Sequence, residues 1–206
     1  MEIMRGKTTS WMDAPTLGRK VQGCVRVHID LGTGDGRYVQ HLAQRQPQTL
    51  VIGVDACREN LRDASRRAPE NALFVIANAQ ELPPLLHGCA DQLSVHFPWG
   101  SLLQGLLAEE NSLRQQMALL LRPQAALDLI VNGGALAEQG WALEDGAAAI
   151  RQRLMRQGWR VEQPQMLAGA ALRAYPTSWA RRLAFGRDPR ALHLRAQWAA
   201  QQMRSA

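Results

Sequence analysis

The chain has 206 residues, of which 46% are hydrophobic, and a formal net charge of +6. This length and apolar content predict a single domain over residues 1–206. No stretch reaches the roughly 20 apolar residues of a membrane helix, and the first 13 residues lack the apolar run of a signal peptide. The three cysteines (Cys24, Cys57, Cys89) are too far apart for a zinc spacing or a disulfide framework. We therefore expect a reduced cytoplasmic protein that holds no metal and has no contact with a membrane.

The positive charge is concentrated at the carboxyl-terminal end. Residues 173–206 carry seven arginines and one acid, Asp188, whereas residues 1–172 are electrically balanced. Only two of the 24 basic residues are lysines, and the guanidinium fork of arginine matches phosphate oxygens. A local cationic field attracts polyanions such as nucleic acid. A solvated arginine-rich tail is the alternative.

Apolar runs and turn residues predict a β-hairpin followed by alternating strands and helices. The hairpin occupies residues 2–11, and Asp13 caps a helix that runs to about Gln22. Strands are predicted over 25–31, 50–55, 72–77, 92–97, 126–131, 161–167 and 191–197. Helices are predicted over 38–46, 58–67, 102–107, 111–121 and 147–157, and a long irregular linker over 169–190. This alternation implies an α/β fold with a largely parallel sheet, in which the last two strands are candidates for an antiparallel pair.

The segment from Val27 to Arg37 contains the first candidate site. An apolar strand carries Asp30 near its end, and three glycines follow at every second position, Gly32, Gly34 and Gly36. A strand, a glycine-rich turn and a helix form the cofactor-binding corner of doubly wound α/β folds. The third glycine of a dinucleotide fingerprint would fall at Arg37 and is missing. Because Asp30 would repel a diphosphate and attract the ammonium of a methionine moiety, the pattern favours S-adenosylmethionine over NAD. The alternative is a glycine-rich loop without a cofactor.

Two further segments end neighbouring predicted strands at the same edge of the sheet. Asp55 lies 19 residues after Gly36, where an acid holds a ribose diol in open α/β sheets. The segment 77–80 (Ala-Asn-Ala-Gln) offers small side chains to a flat adenine. A helix-capping role for Asp55 and an ordinary strand exit at residues 77–80 are the alternatives.

Phe97-Pro98-Trp99 ends the strand predicted over 92–97, in the crevice where open sheets bind ligands. An aromatic ring stiffened by proline favours base stacking. Enzymes that methylate exocyclic amines often carry Asp/Asn-Pro-Pro-aromatic here, and this chain has Phe97 in place of the hydrogen-bond acceptor. N1 of adenine has a free lone pair at neutral pH and needs no such acceptor, so the sequence favours methylation of an endocyclic nitrogen. Alternatively, Trp99 caps the core.

The predicted linker combines an aromatic residue with arginines. Trp179 is followed by Arg182 and Arg187, a combination with which proteins hold an extruded base and its flanking phosphates. Trp99 and Trp179 would form the two sides of a stacking clamp. Arginines at i, i+4 spacing in the helix predicted over 58–67 form either an RNA contact or a solvated face offset by nearby acids. His28 is interpreted as a packed core histidine.

With these segments in view, the chain resembles the aminoglycoside-resistance 16S rRNA adenine-N1 methyltransferases of the Kam and Npm type. The resemblance covers nearly the whole length. It is strongest in five segments, 27–37, 52–55, 74–77, 97–100 and 178–186. It implies a Rossmann-like, seven-stranded methyltransferase with an N-terminal hairpin and a functional insert between late strands.

The resemblance also implies residue roles. The cofactor contacts would be Asp30, Gly32, Thr33, Gly34, Asp55, Ala79, Gln80, Phe97, Ser101 and Thr177, with the last two near the methionine end. Trp99 and Trp179 would be the stacking pair, with no general base. The rRNA contacts would be Arg66, Arg67, Arg182 and Arg187. Gln80 departs from the acid expected beside the cofactor adenine, although Glu81 follows it.

These observations lead to one main hypothesis and two alternatives. The main hypothesis is a monomeric enzyme that methylates N1 of adenine 1408 of 16S rRNA in the 30S subunit and confers aminoglycoside resistance. A tRNA guanine-N7 methyltransferase resembles this fold but carries an acid and more prolines around the corresponding tryptophan. The second alternative is a non-catalytic rRNA-binding assembly factor that retains a cofactor pocket.

Overall fold

The computed structural model describes residues 1–110, 112–167, 169–184 and 189–199. The strands within these ranges are β1 (Glu2–Arg5), β2 (Thr8–Trp11), β3 (Arg26–Leu31), β4 (Thr49–Asp55), β5 (Ala72–Ile76), β6 (Ala90–His96), β7 (Leu121–Asn132), β8 (Trp159–Val161), β9 (Gln165–Leu167) and β10 (Ala191–Trp198). They form one sheet in the order β2-β1-β5-β4-β3-β6-β7-β10-β8, and β9 also pairs with β10.

The centre of the sheet is parallel, as predicted. β3 pairs with β4 and β6, β4 pairs with β5, and β6 pairs with β7, all in parallel. β4 is buried from Thr49 to Val54 because helices cover both faces of the sheet there. β10 is antiparallel to β7, β8 and β9, so the predicted antiparallel pairing of the late strands is confirmed.

Helices cover the two faces of the sheet. They are α1 (Ala14–Gln22), α2 (Arg37–Arg45), α3 (Arg58–Arg66), α4 (Gly100–Leu107), α5 (Ser112–Leu119), α6 (Gly133–Glu138), α7 (Leu143–Arg156), α8 (Gly169–Ala174) and α9 (Ser178–Ala184). α2 and α3 pack around Val39, Leu61 and Phe74 on one face. Leu17 of α1 and the apolar residues of α4, α5 and α7 form the larger core on the other face. None of the helices in these described ranges is long and apolar enough to cross a membrane.

The predicted N-terminal hairpin is present and extends the sheet. β1 pairs with β2 and also with β5, where Ile3 lies opposite Val75. Asp13 caps α1, as predicted, by accepting a hydrogen bond from the backbone N–H of Thr16 at 2.9 Å. The hairpin and the short β9 account for the strands beyond the seven that were expected.

Several late elements differ from the prediction. The strand predicted over 161–167 is two short strands, β8 and β9, which residues 162–164 separate. β7 begins at Leu121 and passes through Pro123, with a register shift against β6 between Ala90 and Gln92. Residues 133–138, for which no helix was predicted, form the short helix α6.

The prediction of an irregular linker over 169–190 was wrong for most of its length, because α8 and α9 occupy it. Alanine-rich segments favour helix, and each short helix also buries one residue against the sheet, Leu172 in α8 and Ala180 in α9. Thr177 caps α9, since its Oγ1 accepts a hydrogen bond from the N–H of Ala180 at 3.0 Å. Residues 185–188 lie outside the described residues.

Candidate active site

The glycine turn between β3 and α2 forms one wall of the candidate site. Gly32, Gly34 and Gly36 have φ angles of 71°, 56° and 68°, a region that side chains other than glycine rarely adopt. At Gly36 the space is also restricted, because a Cβ would lie 2.6 Å from both Cβ of Ala64 and Cε1 of Phe74. The turn therefore requires glycine to bring the start of α2 against α3 and β5.

Asp55, at the end of β4, is held at the opening of this turn. Its Oδ2 accepts a hydrogen bond from the N–H of Gly34, and its Oδ1 accepts one from the N–H of Cys57, both at 2.8 Å. Burial raises the pKa of Asp55, and these hydrogen bonds lower it only in part. Two carboxylate oxygens have about four lone-pair sites, so acceptor capacity remains for a ligand with paired hydroxyl groups.

Asp30 lies deeper, on β3. It is 3% exposed, and its Oδ1 accepts a hydrogen bond of 2.5 Å from Oγ of Ser94 on the neighbouring strand β6. Its Oδ2 accepts no hydrogen bond within the described part of the chain, although the side chain lines the pocket. Oγ of Ser94 also lies 2.8 Å from Nε2 of His28. His28 is buried, and burial lowers its pKa, which agrees with the interpretation of a neutral core histidine.

A single pocket collects every cofactor residue that the resemblance implied, together with both tryptophans. It lies at the carboxyl ends of β3, β4, β5 and β6, where open α/β sheets bind ligands. The predicted residues that line it are Asp30, Gly32, Thr33, Gly34, Asp55, Ala79, Gln80, Phe97, Trp99, Ser101, Thr177 and Trp179. The strand ends and the α8–α9 segment therefore meet as the sequence predicted.

Trp99 and Trp179 stack on each other at this pocket. Their ring centroids are 5.5 Å apart and the rings are inclined by 18°, within the range of offset aromatic stacking. The two side chains are 40% and 41% exposed, so Trp99 does not cap the core. Trp179 lies in α9 and not in an irregular segment. The guanidinium carbon of Arg182, one turn further along α9, is 5.7 Å from the Trp179 ring.

The backbone at the end of β6 explains how Trp99 is presented. Phe97 has a φ of 53°, a left-handed conformation that is rare for a large side chain. Its N–H donates to the carbonyl of Ile130 at 2.8 Å, and its ring is buried. The chain therefore turns sharply after Phe97, and Trp99 projects outward while Phe97 anchors the turn.

The predicted rRNA contacts occupy two places. Arg182 is exposed beside the tryptophan pair. Arg66 and Arg67 are exposed at the end of α3, about 12 Å along that helix from its start beside the pocket. Among the described residues Arg66 forms only a solvent-exposed ion pair, with Asp63 at 3.6 Å, and such a pair leaves it available to a phosphate. Arg187 lies outside the described residues.

Sequence reasoning missed several residues at this site. Tyr38 and His96 line the pocket, and their rings meet edge to face with centroids 4.5 Å apart. Ser94 bridges Asp30 and His28. The position of Tyr38, in the first turn of the helix after the glycines, could have identified it. Nothing in the sequence indicated the partners of Ser94 and His96, because they lie on other elements of the fold.

Comparison with known proteins identifies the family. The family model NpmA, described as 16S rRNA (adenine(1408)-N(1))-methyltransferase, matches residues 2–198. A protein of the same description from Escherichia coli is 31% identical over 205 residues, covering 91% of this chain and 94% of the relative. Another, from Streptoalloteichus hindustanus, is 33% identical over 181 residues, covering 79% and 82%.

A solved structure agrees with these matches over almost the full length. It is a crystal structure of a variant of the 16S rRNA (adenine(1408)-N(1))-methyltransferase from Catenulisporales acidiphilia with its cosubstrate SAM, and the TM-score is 0.87. The two sequences are 26% identical, and the match covers 98% of each chain. The chain therefore belongs to the 16S rRNA (adenine(1408)-N(1))-methyltransferase family, and it is an S-adenosylmethionine-dependent methyltransferase.

Proposed function

We propose that the protein methylates N1 of adenine 1408 of 16S rRNA within the assembled 30S subunit and thereby confers aminoglycoside resistance. The observation that carries this proposal is the pair Trp99 and Trp179, stacked and partly exposed at the pocket that contains Asp30 and Asp55. An enzyme that acts on a base inside folded RNA must take the base out of its stack and hold it. Two indole rings beside a cofactor pocket can hold an extruded base by stacking on both of its faces.

The pocket residues fit S-adenosylmethionine. The free Oδ2 of Asp30 suits the methionine ammonium, and the remaining lone pairs of Asp55 suit the ribose hydroxyls. Ala79 and Gln80 would lie along the adenine, with Ser101 and Thr177 toward the methionine end. Gln80 can donate and accept hydrogen bonds through its amide, so an acid is not required there. When bound, S-adenosylmethionine supplies an electrophilic methyl group on its sulfonium.

The protein's contribution to the reaction would be positioning. N1 of adenine has a free lone pair at neutral pH, so no side chain has to remove a proton from it. A base held between two rings requires the ring planes to lie about 7 Å apart, since each stacking contact takes about 3.5 Å. The Trp99 and Trp179 centroids are 5.5 Å apart, so the distance between their planes is too small for a base. Binding must therefore move the two rings apart.

Docking would rest on the exposed arginines. Arg182 lies beside the clamp, and Arg66 and Arg67 extend the basic surface along α3; Arg187 would follow Arg182. Phosphate contacts of this kind set the position of a protein on nucleic acid and carry most of its affinity. We expect a monomer to bind the 30S subunit in the cytoplasm.

Transfer of labelled methyl groups tests this function. The purified protein with labelled S-adenosylmethionine would be offered 30S subunits, naked 16S rRNA and total tRNA in parallel. We expect label in the 30S subunits. Label in tRNA instead would favour the guanine-N7 alternative. Cofactor binding in calorimetry without transfer to any RNA would favour the assembly factor.

A further inference from the structure

A polar network on the sheet reaches the segment between α8 and α9 through Tyr175. The hydroxyl of Tyr175 lies 3.1 Å from Nε2 and 3.2 Å from Nδ1 of His96. The Tyr175 ring stacks on Tyr38, with centroids 5.9 Å apart and the planes inclined by 7°. It also meets the edge of Phe97, with centroids 5.6 Å apart. Tyr175 therefore contacts the end of β6 and the start of α2 at the same time.

The network continues across three strands. Nε2 of His96 on β6 lies 3.3 Å from Oδ1 of Asp128 on β7, and Nε2 of His193 on β10 lies 2.6 Å from the same oxygen. Burial alone would raise the pKa of Asp128, but the hydrogen bonds from His193 and His96 outweigh it, and the pKa is lower than usual. Asp128 is therefore an ionised acceptor.

The charge on Asp128 sets the direction of the hydrogen bonds that it receives. Because an ionised carboxylate only accepts, both imidazoles donate to it from Nε2. Burial raises the pKa of Tyr175, so its hydroxyl keeps its proton, and it lies within hydrogen-bond distance of the His96 ring. The orientation of each member is thus set by the next, from Asp128 to Tyr175. Within the described ranges no group of three or more His, Cys, Asp or Glu residues is placed to hold a metal ion.

Two hydrogen bonds of Thr177 connect Tyr175 to α9, the helix that carries Trp179. The N–H of Thr177 donates to the carbonyl of Tyr175 at 2.9 Å. Oγ1 of Thr177 then caps α9 through the N–H of Ala180. Trp179 lies in the first turn of α9. In the same helix Ala180 is buried against the sheet, whereas Arg181 and Arg182 are exposed.

We propose that Tyr175 is a positioning residue, through which the network of His96, Asp128 and His193 holds Trp179 opposite Trp99. This inference rests on the proposed function, in which the two tryptophans hold the target base. Tyr175 itself would touch neither the base nor the cofactor. Its contribution would appear in turnover and in the geometry of the tryptophan pair, and not in affinity.

Two conservative variants test the network kinetically. Tyr175→Phe removes one hydroxyl and keeps the ring. Asp128→Asn keeps the shape of a side chain that does not line the cofactor pocket. We expect kcat for 30S methylation to fall roughly three- to tenfold in each, with KM for the 30S subunit and Kd for S-adenosylmethionine within about twofold of wild type. The double variant should lose little more than either single one, because both break one network.

Thr49→Val is the matched control. It removes a hydroxyl that hydrogen-bonds to Gln46 at 3.2 Å, at the amino end of β4 and away from the pocket. Its kcat should equal that of wild type. A Tyr175→Phe enzyme with unchanged kcat, or one that loses only affinity, would overturn the proposal. Fully multiplicative effects of the two single variants would also overturn it.

A spectroscopic measurement separates this inference from the proposed function. Stacked indoles give an exciton-coupled signal in circular dichroism. The Trp159–Trp198 pair contributes equally to the spectra of wild type and Trp99→Phe. Subtraction of the two spectra therefore leaves the signal of the Trp99–Trp179 pair. We expect Tyr175→Phe to reduce the isolated signal and Thr49→Val to preserve it. If wild type methylated no 30S subunit, the function would fail while this signal still tested the positioning. An unchanged signal in Tyr175→Phe would overturn the inference whatever the activity.

Discussion

The carboxylate of Asp55 joins two loops by accepting the backbone N–H of Gly34 at 2.8 Å. Gly34 belongs to the turn after β3, whereas Asp55 ends β4. The second oxygen accepts the N–H of Cys57 at the same distance. One side chain thus fixes the shape of the cofactor pocket where two parallel strands end.

Replacement of Asp55 by asparagine should weaken cofactor binding. An amide has one acceptor oxygen and carries no charge, and a hydrogen bond to a charged group contributes about 1.5–3 kcal/mol. We expect Kd for S-adenosylmethionine in calorimetry to rise by about tenfold or more. Asp63→Asn, an exposed change on α3, is the control and should bind normally. Wild-type affinity in a folded Asp55→Asn protein would exclude Asp55 from the cofactor site.

Cofactor affinity should also depend on pH through Asp55. Protonation removes an acceptor, so affinity falls as the pH falls. Because burial raises the pKa of Asp55, the fall should begin at a higher pH than for an exposed aspartate. Calorimetric titrations over a pH series would show this dependence in wild type and a weaker one in Asp55→Asn. Equal pH profiles would assign the titration to another group.

Removal of either tryptophan should separate docking from chemistry. Trp99→Ala and Trp179→Ala each lose base stacking of about 1–3 kcal/mol, whereas phosphate contacts remain. We expect near-normal 30S binding and a collapse of methyl transfer in both. Trp99→Phe should recover part of the activity, and Trp99→Leu should recover less. If docking and turnover fell equally, the tryptophans would be organising the fold and not holding a base.

Docking on the 30S subunit should weaken as salt rises, with Arg182 contributing to the slope. Each phosphate contact contributes nearly one unit to the slope of log affinity against log salt. Arg182→Ala should lower both the affinity and this slope. Arg156→Ala is the matched control, because Arg156 ends α7 just before β8, which pairs with the end of β10 that lies away from Ala191 and α9. An equal loss in both variants would reject a specific role for Arg182.

Much of the site could be predicted because it depends on local signals. The apolar run before the glycines, the acid at the end of β4 and the Phe97-Pro98-Trp99 segment each identify a strand end. Parallel strands bring their carboxyl ends to one edge, so residues distant in sequence converge there. The cap at Asp13 and the hairpin also follow from local residue types.

The remaining features depend on tertiary contacts. α8 and α9 are too short to be stable by propensity alone, and they form where Leu172 and Ala180 pack on the sheet. The contact of Tyr175 with His96 spans 79 residues of sequence. A tyrosine in a presumed irregular segment and a histidine in a strand give no signal of each other.

Primer extension across the decoding site of 30S subunits tests the central claim most directly, because a methyl group on N1 blocks the pairing edge of adenine and stops reverse transcription. Subunits treated with the protein and S-adenosylmethionine should give a stop at adenine 1408, and subunits treated with Trp179→Ala should read through. Read-through at adenine 1408 after treatment with cofactor-binding wild-type protein would contradict the account.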